Sequence, residues 1–160
     1  MTDNAGDMEI LGLDELDRKL GLLDDKLAGK ALYSALGFAL TPVVKEAKTR
    51  ASKADEPHTM TYPNGKTVDV EPGLLKSAIR KRRVPKKEMV GEFATGAAMG
   101  VYIGKGTKQK VYPNYWHFIE YGTPTFPAAP FIRPAFDNNV DLMIERFSQK
   151  LNQNIDKYLE

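Results

Sequence analysis

Cysteine is missing from this 160-residue chain, tryptophan occurs once and histidine twice. Without cysteine there is no disulfide frame, no thiol nucleophile and no thiolate-bound zinc. That suits a reducing cytosol, and equally a particle that survives outside a cell without redox control. No leader is expected either: Met1 to Asp7 is acidic and polar where a signal peptide is basic and then apolar. No unbroken apolar run approaches the ~20 residues that span a bilayer. The expectation is a protein without a membrane partner, made in the cytoplasm and kept or assembled there. A strong excess of one charge is also lacking. Formal net charge is +2, too small to announce a nucleic-acid binder by itself.

What is present is an ordinary globular balance, 42% hydrophobic and 28% charged, in a length that suits one domain. Residues 1–160 are read as a single domain with a flexible N-terminus over 1–10 and a long loop over 55–72. Leu13, Leu16, Leu20, Leu23 and Leu27 fall at helical spacing and predict an amphipathic helix from Asp14 to Leu27. A second helix is predicted from Lys30 to Ala54, with Leu32, Leu36, Leu40, Val43 and Ala47 on its apolar stripe. Pro42 lies inside that stripe and is expected to kink or split it, because proline removes one donor and crowds the preceding turn. Tyr62-Pro63-Asn64-Gly65-Lys66 is a turn signal, with a short strand over Thr67–Val70 after it. Gly73 to Arg80 reads as one or two helical turns.

Strands are predicted over Arg82–Val84, Lys87–Ala94 and Ala98–Ile103, the last two joined by a tight turn at Thr95-Gly96. Pro113-Asn114 opens a short helix that Gly122 stops in a left-handed conformation. Pro124 and Pro127 keep the next segment extended. A final helix runs from Pro130 or Pro134 to Tyr158, with Phe136, Val140, Met143, Phe147, Leu151 and Ile155 on one stripe. The fold class is α+β: a small antiparallel β-sheet packed with a kinked N-terminal helix and a C-terminal helix.

Catalytic patterns are scarce. His117 stands three residues before Glu120, but a His-x-x-Glu pair holds metal when a second such pair faces it, and the sequence has none. His117 is read as a partly buried packing residue, and no metal, cofactor or enzymatic activity is assigned. Ser34, Ser52, Ser77 and Ser148 lack a nucleophile-elbow context. Gly104-Lys105-Gly106-Thr107 lacks the Gly-Lys-Ser/Thr ending and following helix of a phosphate-binding loop, and reads as a strand-ending turn. Glu120, between Phe118-Ile119 and Tyr121-Gly122, has apolar neighbours. A carboxylate there needs a partner, Arg133 or a backbone N–H, and is read as a structural clamp.

One charge feature is strong: Lys76, Arg80, Lys81, Arg82, Arg83, Lys86 and Lys87, with Lys105, Lys108 and Lys110 downstream. It suits contact with nucleic-acid phosphate. It suits equally a solvated face or pairing with acids of a neighbouring subunit. The cluster carries no interleaved stacking aromatics, which favours the second reading.

Two motifs carry a resemblance: Phe118-Ile119-Glu120-Tyr121-Gly122-Thr123 and Pro130-Phe131-Ile132-Arg133-Pro134-Ala135-Phe136. They are accompanied by Gly12-Leu13, Leu16, Leu20 and by Leu74-Leu75-Lys76-Ser77-Ala78-Ile79. In this order they resemble the minor tail component, or neck and tail-completion, family of long-tailed bacteriophages and prophages, over residues 10 to 150. The resemblance implies a structural virion protein, assembled in the host cytoplasm into a ring expected to be a hexamer. Its partners would be copies of itself, tail terminator or tail tube proteins, and head-completion or connector proteins. DNA would pass through the lumen without sequence-specific binding. The Gly122–Pro130 loop would be a rigid spacer, with the His58–Val70 loop and the termini as docking arms. Two alternatives stand beside it: a tail terminator that caps tube growth at the same junction, and a small basic nucleic-acid-binding module.

Overall fold

The computed structural model describes residues 12–51, 53, 56–91 and 96–160. The architecture is α+β, as the patterning predicts. The order is α1 (Leu13–Leu20), α2 (Asp25–Arg50), β1 (His58–Thr61), β2 (Thr67–Val70), α3 (Leu74–Ala78), β3 (Ile79–Arg83), β4 (Met99–Ile103), α4 (Trp116–Tyr121), α5 (Arg133–Asp137) and α6 (Val140–Leu159). The expected flexible segment 1–10 lies outside the described residues, as does most of the expected Lys87–Ala94 strand's end and Thr95 of its turn.

The first helix is shorter than the leucine spacing suggests, and the second starts earlier. Asp24 explains both. Its carboxylate accepts from the Leu27 N–H at 2.9 Å, capping α2 from outside, so the chain turns at Gly21 and restarts at Asp25. Leu23 therefore lies in the turn and Leu27 in α2, apart from Leu13 and Leu16 of α1.

Helix α2 is the axis of the molecule. Ala31, Ala35, Ala39, Leu40, Val43 and Ala47 form its buried face. The small alanines let α6 lie close along it, with Leu16, Leu151 and Ile155 completing one apolar cluster. Further along, Leu40, Val43 and Ala47 pack with Leu75, Ile79, Ile103, Phe131 and Ala135 in the main core. Burying Phe131 completely contributes about 2–3 kcal/mol. By length and hydropathy α2 could cross a membrane, but here it is the helix on which the other elements pack.

Pro42 does not split α2. The helix continues through it to Arg50. Proline leaves the carbonyl four residues earlier, that of Phe38, without its intrahelical donor. Arg146 of α6 supplies one: its Nε donates to the Phe38 oxygen at 3.0 Å, and its guanidinium lies 3.7 Å from the Phe38 ring centre.

The expected small sheet is divided into two antiparallel pairs, β1 with β2 and β3 with β4. The first lies within the segment read as a long loop. Tyr62 to Lys66 forms the predicted turn, with Gly65 at φ +81° and its N–H on the Tyr62 carbonyl at 2.9 Å. The partner strand His58–Thr61 was not foreseen, because only Met60 of its four residues is buried. Met60 and Val70 pin the hairpin onto Leu74. In the second pair Ile79 faces Ile103, Lys81 faces Val101 and Arg83 faces Met99. Strand β3 starts at Ile79, where a helix was expected to continue to Arg80, because Ile79 enters the core beside Ile103. Lys86–Glu88 is a 3₁₀ turn where a strand was expected from Lys87.

The predicted last helix is two. Asn139 breaks it: its amide donates to the Ala135 carbonyl at 2.7 Å and to Glu46 of α2, and Asn138 also reaches Glu46 at 2.9 Å. Side-chain amides that bond to the backbone compete with helical hydrogen bonds.

Candidate functional site: a clamped corner and a basic strand

The corner begins with Pro113, which is buried, and α4 follows. Trp116 Nε1 donates to the Tyr112 hydroxyl at 2.8 Å, and the Tyr115 side chain is half-buried. Glu120 points inward and is 1% exposed. Its Oε2 accepts from the Phe131 and Ile132 N–H groups at 2.8 and 3.0 Å. Its Oε1 accepts from the Arg133 N–H at 3.0 Å and from Arg133 Nε at 3.2 Å. Arg133 Nη2 returns a bond to the Glu120 carbonyl at 2.8 Å. These backbone donors belong to the start of α5, where N–H groups have no intrahelical acceptor. Glu120 therefore caps α5 from another helix. Burial pushes its pKa up, but the hydrogen bonds from Ile132, Arg133 and Phe131 outweigh burial and hold it below the ordinary carboxylate value.

Both partners proposed for Glu120 are present, and the backbone supplies more of the bonds. Arg133 is 55% exposed, with its guanidinium 5.0 Å from the Tyr121 ring centre.

Gly122 stops α4 with a positive φ, but its ψ of 176° is extended and not the left-handed helical value expected. This region of backbone space is essentially reserved to glycine. A Cβ here would lie 2.7 Å from the Ala128 nitrogen. The loop after it folds back: Ala129 N–H donates to the Ile119 carbonyl at 2.8 Å, and Thr123 Oγ1 accepts from the Phe126 N–H at 3.0 Å. Pro130 leads into buried Phe131, and Pro134 sits in the first turn of α5, where a missing N–H costs nothing. Phe136 is half-buried against the core.

The outside of the corner is aromatic. Phe118 is 53% exposed, Tyr121 63% and Phe126 72%. Between Tyr115, Phe118, Ile119, Phe126 and Pro127 runs an open apolar groove of about 340 Å³.

The basic residues do not form one face. Strand alternation sends Arg80 and Arg82 to one side of β3 and Lys81 and Arg83 to the other. On the outer side both guanidiniums approach Tyr102, at 5.9 and 4.5 Å from its ring centre, and Arg82 pairs with Glu88 at 2.9 Å. Arg80 also donates to the Lys105 carbonyl at 2.8 Å. On the inner side Lys81 donates to the Gly37 carbonyl at 2.6 Å and to Thr41 Oγ1 at 2.9 Å. Desolvation, then the nearby Arg146 charge, lowers the Lys81 pKa. Arg83 stacks over Tyr33 at 4.2 Å. Lys76 on α3 and Lys86 and Lys87 in the 3₁₀ turn are exposed. The aromatics that the cluster lacks in sequence thus come from elsewhere, Tyr102 across the strand pair and Tyr33 from α2. Period-two alternation with cross-strand pairing is the signal that would have found Tyr102.

His58 lies on β1 and His117 on α4, both exposed, so His117 is not the partly buried residue expected. Its ring lies 4.2 Å from that of Phe118. The Glu120 carboxylate three residues on is committed to α5. Among the described residues no three potential ligands cluster to hold a metal. Comparison with family models, with curated proteins and with solved structures finds no match to this chain.

Proposed function

We propose that this chain is a structural subunit of a bacteriophage tail, a neck or tail-completion protein. It assembles with copies of itself into a ring at the head-proximal end, expected to be a hexamer, and lets DNA pass through the lumen. The observation that carries the reading is the corner. Its charged groups are spent internally on fixing one chain path, while Phe118, Tyr121 and Phe126 face outward. Rigid exposed aromatics give contact area at little entropic cost, which is what a subunit docked between neighbours requires. Around a closed ring each subunit presents one patch to the next. The neighbours above and below are tail tube or terminator proteins and head-completion or connector proteins, and the site of residence is the virion tail, assembled in the host cytoplasm. The corner acts by shape, so the reading assigns no reaction, metal or cofactor.

Purified chain added to tail tubes that lack it should form a new ring at one end by electron microscopy, and the ring's symmetry gives its stoichiometry. Tubes that bind no ring overturn the reading. A tail terminator is distinguished in the same images, because tubes without a terminator grow to variable length and the added chain would restore uniformity.

A second reading rests on the outer side of β3, where Arg80, Arg82 and Tyr102 lie together. It makes the chain a basic module contacting nucleic-acid phosphate. It requires retention on DNA that weakens steeply with salt and is lost in Arg80→Gln/Arg82→Gln.

A further inference from the structure

Three separate elements bring lysines to one place. The last turn of α2, the short α3 and the loop after β4 surround an open pocket of about 380 Å³ whose lining includes Lys48, Lys76, Lys108, Ser77, Thr107 and Gln109. No carboxylate lines it. Among the described residues none of the three lysines is held in an ion pair. Like charges around a shared concavity repel, and a multiply charged anion between them relieves that repulsion.

The loop that delivers Thr107 and Lys108 is fastened on both sides. Gln109 bonds twice to the Glu71 backbone: Glu71 N–H donates to its Oε1 at 2.8 Å, and its Nε2 donates to the Glu71 carbonyl at 3.1 Å. The base of the loop is closed by Gly106 N–H on the Val111 carbonyl at 2.8 Å. Gly106 lies so close to α3 that a Cβ would stand 2.5 Å from Leu74 Cδ1 and 3.0 Å from Ser77 Oγ. Lys110 is held at φ +56°, the one positive φ outside glycine among the described residues. Such a backbone persists where the surroundings impose it. Ser77 gives its proton to the Leu74 carbonyl at 2.8 Å, and among the described residues the Thr107 hydroxyl has no such acceptor.

We propose that this pocket binds a compact phosphate-class anion, either free polyphosphate or the phosphate tail of a nucleotide. Lysines meet such groups as point charges, hydroxyls add directed bonds, and a preformed loop lowers the cost of ordering. The proposal is independent of the neck-ring reading, because it concerns neither the corner nor the outer side of β3.

The test is a titration of the full chain with inorganic pyrophosphate at low salt, followed by calorimetry and by backbone amide shifts. The expected result is saturable one-to-one binding with shifts centred on residues 106–109. Lys48→Gln, Lys76→Gln and Lys108→Gln should each weaken binding about threefold or more, and Lys157→Gln, far along α6, should leave it unchanged. Comparing tripolyphosphate with ATP separates the two sources: equal affinity points to free polyphosphate, and tighter ATP binding to a nucleotide. Non-saturating shifts spread over many lysines overturn the proposal. So does binding that survives all three pocket substitutions, or binding of a DNA duplex where pyrophosphate does not bind.

Discussion

The corner and the basic strand both combine charge with aromatic rings, and they use them in opposite ways. At the corner the carboxylate is inside and saturated, and the rings of Phe118, Tyr121 and Phe126 are outside. Along β3 the guanidiniums are exposed, and Tyr33 and Tyr102 act as rests for them. A buried charge is tolerable only when its hydrogen bonds are complete, so Glu120 fixes the fold around it. An exposed charge fixes little, because water is nearly as good a partner. The contrast places structural sensitivity at the corner and leaves the exposed arginines of β3 free to change at small cost in stability.

The sharpest way to break this comparison is Gly122→Val. A branched side chain at that positive φ, against the Ala128 backbone, should cost about 4 kcal/mol and lower the melting temperature by about 10 °C. Melting within a degree or two of the native chain would mean the corner is not rigid.

Glu120→Ala comes next, with an expected loss of about 3 kcal/mol, since three N–H groups at the start of α5 lose their acceptor. The same carboxylate gives a pH signature. Its folded pKa lies below its unfolded value, so its stabilisation is full above the unfolded pKa and is lost as pH falls through the folded one. Denaturant unfolding of Glu120→Gln against pH should lack that part of the acid-side decline; identical slopes would sink the assignment.

Arg146→Met should cost about 1–2 kcal/mol, because the Phe38 carbonyl loses its donor. Adding Pro42→Ala returns a backbone N–H to that carbonyl, so the double variant should recover part of the loss. Additive losses would show that the Arg146 bond does not stand in for the missing proline donor.

The smallest effect is expected for Arg133→Ala, about 1 kcal/mol or less. Arg133 is more than half exposed, and Glu120 keeps its backbone donors without it. A loss equal to that of Glu120→Ala would reverse the relative weight given to side chain and backbone.

Much of the corner was legible in sequence. Apolar neighbours on both sides of Glu120 implied burial, burial implied a partner, and Arg133 and a backbone N–H were the partners named. The helical stripes likewise placed α2 and α6. What escaped depended on contacts distant in sequence. Strand β1 buries only Met60, so its pattern is silent until Val68 and Val70 pair across from it. The division of β3 into two sides needed its true start, and reading Ile79 and Arg80 as helix hid it. The break between α5 and α6 rests on Glu46, more than ninety residues away from the asparagines it receives. The three-lysine pocket draws Lys48, Lys76 and Lys108 from segments that no local window joins.

Pro42 has one further consequence. A helix offers a neighbouring helix a nearly uniform backbone, so a face lined with small alanines, as on α2, would by itself let a neighbour slide along it by a turn at little cost. The vacancy at Phe38 ends that uniformity. The Phe38 carbonyl receives the Arg146 guanidinium and the Ala31 carbonyl receives the Asn154 amide, so any other axial alignment of α6 would break both bonds. The proline works as a mark on a ruler, telling α6 where along α2 to stop.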